Sequence, residues 1–250
     1  SPLLHPEQPG GNGEMMVPHM YWSEKEDCQN LNIWTPSIRD GRKRPVMVWL
    51  HGGGFSAGSS IEQLAYDGEN LSRAGDVVVV SVNHRLNVLG YLDLSPFGEK
   101  YQDSANAGNL DLIAALEWIR DNIEGFGGDP ENVTLFGQSG GGVKVWSLLQ
   151  MPEADGLFHK GIIESGVVDP DLLGDAEDGN GREIVKAMLA ELGLEEKDVD
   201  QLETLPYDQL AQAYENAAPK VAQKGEYVGN HPHKNQSYFG DAIKHGFREE

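Results

Sequence analysis

The chain has 250 residues, is 39 % hydrophobic before its 31 glycines are counted, and carries 40 Asp and Glu against 19 Lys and Arg. That apolar content supports a packed core and excludes global disorder, while length alone leaves one large α/β domain or two small ones open. A net charge of −21 argues against nucleic acid or an anionic membrane surface as partner, since both need an excess of Lys and Arg, and reads as a solubility device.

In chain order, Ser1–Gly13 is polar, rich in Pro and Gly, and lacks the apolar core of a signal peptide. The compartment is left undetermined, with the cytoplasm favoured over secretion. Apolar runs such as Val77–Val80 fall far short of the ~18 residues of a membrane span. The one cysteine, Cys28, excludes an intrachain disulfide framework and any CxxC metal or redox site. Val46–Leu50, Val77–Val82, Val133–Phe136 and Ile162–Ile163 read as short buried strands between turn residues. A helix is predicted over about Leu110–Ile123, because Leu112, Leu116, Ile119 and Ile123 share one face. It ends before the breaker Gly125–Pro130. A second helix follows Ser139 and carries Val143, Val145, Trp146, Leu148 and Leu149. Strands alternating with helices imply a mostly parallel sheet with helices on both faces. After Gly166 the pattern changes to an acidic loop, Asp169–Gly181, an amphipathic helix, Arg182–Leu192, capped by Gly193, and another helix over Pro206–Ala218. Gly225–Glu250 is polar and without a clean period. This last third reads as a helical excursion from the sheet, not a second domain.

Gly137-Gln138-Ser139-Gly140-Gly141 is G-x-S-x-G between a predicted strand and a predicted helix. That is the context of a nucleophile elbow, where a serine on a tight turn projects its hydroxyl above the sheet. Flanking glycines remove the Cβ atoms that would clash. A second cluster, His51-Gly52-Gly53-Gly54-Phe55, follows the first predicted strand. Acyl transfer needs backbone N–H donors around a developing oxyanion, and the amides of Gly53, Gly54 and Gly140 are the candidates. A plain flexible turn is the alternative for each cluster alone; the two together, in order on successive strands, favour the catalytic reading. Nucleotide binding is disfavoured: a phosphate loop needs Lys directly after its last Gly, whereas Gly142 is followed by Val143, and neither cluster contains G-x-G-x-x-G.

These motifs resemble the type-B carboxylesterase family of α/β-hydrolases, which includes carboxylesterases and cholinesterases. The likeness extends to Glu26–Pro36, similar to E-D-C-L-x-L-N-V-W-T-P, to Asn83–Leu86 with Leu89-Gly90-Tyr91, to Trp118–Thr134 with its Phe126–Thr134 segment, and to Leu157–Lys160 with Glu164-Ser165-Gly166. It is dense over about Trp22–Gly166 and looser over Arg182–Ala218. Gln138 and Gly140 stand where the family usually has Glu and Ala, and Ala105–Leu112 departs from its G-N-x-G-L-x-D-Q run at Ala105, Asn109 and Leu112.

The resemblance implies an α/β-hydrolase fold present as an incomplete portion. Residues 1–250 would be part of one such domain, with a sheet core over about 22–166 and an excursion over about 167–250. It also implies a carboxylic-ester hydrolase using Ser139 as nucleophile through an acyl-enzyme, with no cofactor and no metal. The substrate class is a small-molecule ester. The triad acid and histidine are expected beyond Glu250, in a missing segment or a second chain. An in-chain triad, for example Asp169 or Asp171 with His233 or His245, is the lesser alternative. So are a non-catalytic adhesion protein on an esterase scaffold and an inactive fragment. A fragment would present an exposed apolar sheet edge. His51 is expected to shape the oxyanion loop, Cys28 to be a small buried thiol, and His231 and His233 to be surface histidines without a metal. The glycosylation sequon at Asn132 is ascribed to chance because it opens a buried strand; a second one starts at Asn235.

Overall fold

The computed structural model describes residues 26–167, 180–229, 231–235, 237 and 238. The expectations placed on Ser1–Gly13, Asp169, Asp171 and His245 lie outside the described residues. Five strands form one sheet in the order β1-β3-β2-β4-β5: β1 (Asn30–Trp34), β2 (Arg44–Leu50), β3 (Val78–Asn83), β4 (Gly128–Gln138) and β5 (Lys160–Glu164). The four predicted strands are β2 to β5, and they pair in parallel. Val48 of β2 lies opposite both Val80 and Leu135, all three fully buried, as β-branched strands covered on both faces require. β1 was not foreseen as a strand. Its Asn-Leu-Asn-Ile alternation has period two, and it runs antiparallel on the outer side of β3. Among the described residues β5 pairs only with β4, and its Ile162 is 44 % exposed.

Helices fill the connections: α1 (Glu69–Gly75) between β2 and β3, α2 (Asn87–Tyr91) and α3 (Ala107–Asn122) between β3 and β4, and α4 (Gly140–Leu148) between β4 and β5. α3 buries the predicted face, with Leu112, Leu116 and Ile119 all within the core and Ile123 closing it. The predicted breaker is a single 3₁₀ turn, Ile123–Phe126, and β4 already starts at Gly128. There Arg44 ties the chain down: its N–H reaches Gly127 O at 2.9 Å and its buried guanidinium bridges Asp40 and Asp76.

α5 (Arg182–Glu191) and α6 (Tyr207–Ala222) fall where amphipathic periodicity placed them. Ile184, Met188, Leu210 and Ala217 form a second apolar cluster with Val88, Leu92 and Tyr101 from the β3–β4 connection. Polar links reinforce it: Gly181 N–H donates to Asp93 at 2.8 Å and Arg182 donates to Pro96 O at 2.8 Å. No helix among the described residues is long and apolar enough to cross a membrane.

Candidate active site

β4 delivers the chain to Ser139, and α4 begins one residue later. Ser139 has φ 55° and ψ −123°, a conformation that L residues avoid and that persists only where surroundings enforce it. The enforcement is visible. Ser139 N–H donates to Glu164 O at the end of β5 at 2.8 Å, and its carbonyl accepts from Val143 N–H at 3.0 Å. The side chain is exposed. The glycine run is explained by backbone contact on several sides. A Cβ on Gly140 would stand 2.5 Å from Gly54 Cα, one on Gly141 would strike Leu50 O, and one on Gly142 would lie 2.9 Å from Gly166 Cα.

The second glycine cluster leaves the end of β2 and bends over this turn. Gly53 and Gly54 have φ +83° and +63° and are exposed, whereas His51, Gly52 and Phe55 are buried. Gly52 rests on the elbow: a Cβ there would lie 3.2 Å from Gln138 O and 3.8 Å from Ser139 Cβ. The loop closes on itself through Ala57 N–H to Gly53 O at 3.1 Å. It is clamped from outside by Asn87, fully buried, which donates its N–H to Phe55 O at 2.7 Å and its side chain to Ser56 O at 3.3 Å. Phe55 also stacks edge-on against Tyr91, centroids 5.0 Å apart. The Gly53 and Gly54 amides take no part in these loop bonds. Gly140 N–H belongs to the first turn of α4, whose donors have no intrahelical acceptor and whose dipole favours negative charge. Ser139, Gly53, Gly54 and Gly140 are thus gathered at one end of the sheet. Asn87 was not foreseen as the loop's clamp.

Beneath the loop lies a buried polar cluster that sequence reasoning also missed. Lys144, fully buried on α4, donates from Nζ to His51 O at 2.8 Å. Burial pushes its ammonium down to about 7, and Glu62 partly opposes the fall. His51 Nδ1 lies 2.9 Å from Gly52 O; a carbonyl can only accept, so the neutral ring carries its proton on Nδ1. His84 stacks on it, centroids 5.4 Å apart. Burial first, and then the charge of Lys144, holds both imidazoles well below their ordinary range. His51 Nε2 and His84 Nε2 are buried without a hydrogen-bond partner among the described residues. His51 is therefore a support of the loop from within. The signal for Lys144 was α4 itself: a helix apolar on all sides has no wet face for a lysine.

The other histidines lie elsewhere. His159 Nδ1 accepts from Val133 N–H at 3.1 Å, at the opposite end of the sheet: Ser139 lies six residues further along β4, on the order of 20 Å away. His231 and His233 were expected at the surface but are half-buried, packed against the buried ring of Tyr227. No described group of His, Cys, Asp or Glu has the arrangement of a metal site. Cys28 is a buried free thiol. Asn235 uses its side chain internally, accepting from Ser237 and Tyr238 N–H and donating to Gln102 O.

A mostly parallel sheet with an exposed, strained serine between its strand β4 and the following helix defines an α/β-hydrolase. Residues 5–247 match the carboxylesterase family, and the chain belongs to that family. It is 43 % identical over 201 residues to the para-nitrobenzyl esterase of Bacillus subtilis, a stretch covering 80 % of this chain and 39 % of that protein. It is 37 % identical to the phenmedipham hydrolase of Pseudarthrobacter oxydans, covering 89 % of this chain and 42 % of the relative. The solved structure of an esterase from anaerobic Clostridium hathewayi, described as able to hydrolyse aliphatic aromatic polyesters, superposes with a TM-score of 0.93 at 57 % identity. The match covers 99 % of this chain and 49 % of that one. The chain therefore spans about two fifths to one half of the length of these relatives.

Proposed function

We propose that the enzyme carrying this chain hydrolyses carboxylic esters through an acyl-enzyme on Ser139. The observation that carries the proposal is the meeting of Gly54 and Gly140 backbone beside an exposed serine held at φ 55°. Ser139 Oγ attacks the ester carbonyl carbon, and the carbonyl π electrons move onto oxygen. The amides of Gly53, Gly54 and Gly140 receive that oxyanion. A histidine takes the serine proton and returns it to the departing alcohol, and an acid orients the histidine. Water then repeats the attack on the acyl-serine and frees the carboxylic acid. This reading assigns the histidine and the acid to the rest of the enzyme rather than to the residues described around Ser139. The para-nitrobenzyl and aromatic polyester chemistry named for two relatives makes aromatic esters the first substrates to try.

The test is a fluorophosphonate probe followed by peptide mapping, with turnover of p-nitrophenyl acetate in the complete enzyme. One adduct on the peptide bearing Ser139 and loss of turnover in Ser139→Ala are expected. An adduct on another serine, or unchanged turnover in that variant, refutes the assignment.

A further inference from the structure

We propose that Lys144 is a positioning residue for the oxyanion loop: from inside helix α4 it grips the carbonyl of His51 and fixes the backbone from which the Gly53 and Gly54 amides project. The inference rests on the ester-hydrolase role of Ser139 proposed above. α4 starts at the residue after Ser139, and its first turn meets the end of β2 backbone to backbone, Gly141 against Leu50 O. One turn later Lys144 extends that contact by a hydrogen bond of 2.8 Å to the next carbonyl along, that of His51. A single side chain thus couples the nucleophile's helix to the loop that faces the nucleophile.

The lysine is an expensive choice for this place. Its amine is fully buried, and an apolar residue of the same length would pack there without desolvating a charge. The groups that act on it are His51 from the end of β2, His84 from the end of β3 and Glu62 from the loop between β2 and α1. The two imidazoles are neutral, so Glu62 is the group that favours the lysine's proton. A destabilising buried charge set directly under a reactive site points to a role in that site. The ammonium bond to a carbonyl is roughly twice as strong as that of a neutral amine. The proton leaves Lys144 as pH rises through about 7, so the grip on His51 O weakens on the alkaline side and kcat falls there.

The experiment compares wild type, Lys144→Met and Lys144→Gln in the complete enzyme, measuring kcat and KM for p-nitrophenyl acetate from acid to alkaline pH together with Tm. Wild-type kcat is expected to fall on the alkaline side. Lys144→Met is expected to keep or raise Tm, to lose kcat by about 10- to 100-fold with KM nearly unchanged, and to lack the alkaline fall. Lys144→Gln, a donor that does not titrate, recovers part of kcat and is flat above neutrality. The proposal is overturned by a wild-type kcat without an alkaline fall, by Lys144→Met turning over like wild type, by a persistent alkaline fall in Lys144→Gln, or by a kcat loss that only tracks loss of folded protein. If Lys144→Met does not fold, the wild-type and Lys144→Gln profiles decide. Fluorophosphonate labelling of wild type separates the two levels. No adduct on Ser139 removes both readings, while an adduct alongside wild-type behaviour of Lys144→Met removes only this one.

Discussion

The α-carbon of Gly54 lies 2.5 Å from where a Cβ on Gly140 would stand. The residue after the proposed nucleophile and a proposed oxyanion donor therefore touch through bare backbone. The carboxylesterase family usually carries Ala at the position of Gly140, and in this protein that methyl group has no room. Gly140→Ala must push Gly54 away from Ser139. If one amide donor is displaced, kcat should drop by about 10²–10³-fold; Gly140 itself is buried, so some fall in Tm from overpacking is expected beside it. Steady-state kinetics beside thermal melts check this; a folded Gly140→Ala enzyme with normal kcat would show that the loop is free to retreat.

Gly53 and Gly54 should fail for different reasons. A Cβ on Gly53 would collide with Ala57 O, inside the loop's own turn. At Gly54 the nearest atom is Ser56 N at 4.0 Å, so the protein leaves space, and φ +63° is the obstacle, with a strain of about 1–2 kcal/mol for an L residue. Gly54→Val is expected to fold, to lose kcat, and to discriminate against bulky acyl groups, because its side chain enters the space open to substrate. Gly53→Val should disturb the loop for every ester alike. A series of p-nitrophenyl esters of increasing acyl length separates the two; equal losses across the series in both variants would contradict the difference.

Stability should rise with pH on both sides of neutrality. His51 and His84 are held below the ordinary imidazole value by burial. The unfolded chain binds protons below about 6.5 that the folded protein refuses, so stability is present above that pH and is lost as pH falls. The slope is about 1.4 kcal/mol per pH unit for each group that titrates. Lys144 has the same sign in a different window: its folded value is about 7 against 10.5, so between these the unfolded state holds the extra proton and stability climbs with pH. Urea melts across pH should show both rises, and Lys144→Met should remove only the upper one. A flat wild-type curve from neutral to alkaline pH would contradict the burial of a titrating lysine.

Two of those three residues, His84 and Lys144, mark where the sequence stopped being legible. The elbow and the oxyanion loop were readable because a close backbone approach demands glycine, and glycine runs at strand ends are rare enough to stand out. α3 was readable because Leu112, Leu116, Ile119 and Ile123 obey a helical period. β1 was overlooked because an outer antiparallel strand needs apolar residues on one face only, and its asparagines masked the alternation. His84 was overlooked because nothing in its local spacing says that tertiary packing closes over it, and Lys144 because the apolar surround of its own helix was not read as leaving it no wet face. His231 and His233 were misjudged for the same reason: their burial depends on Tyr227, a neighbour whose ring position no periodicity encodes.

α5 and α6 share their apolar cluster with Val88, Leu92 and Tyr101, residues of the connection between β3 and β4. We therefore propose that the helical excursion and the sheet form one cooperative domain, although the main sheet core and this cluster are distinct apolar bodies. Met188 is fully buried in the shared cluster, so Met188→Ala should cost about 2–5 kcal/mol through lost contacts and a cavity. If the two bodies fold together, that loss appears as a shift of a single unfolding transition seen alike by far-UV signal and by tryptophan fluorescence. Trp49 is the fitting reporter, since it lies in β2 against Phe136 and Tyr66, on the sheet and away from the altered helix. The variant should also lose Ser139 labelling at the same denaturant concentration at which the tryptophan signal changes. Two separated transitions, with Trp49 and Ser139 labelling unmoved by Met188→Ala, would assign α5 and α6 to an independent unit.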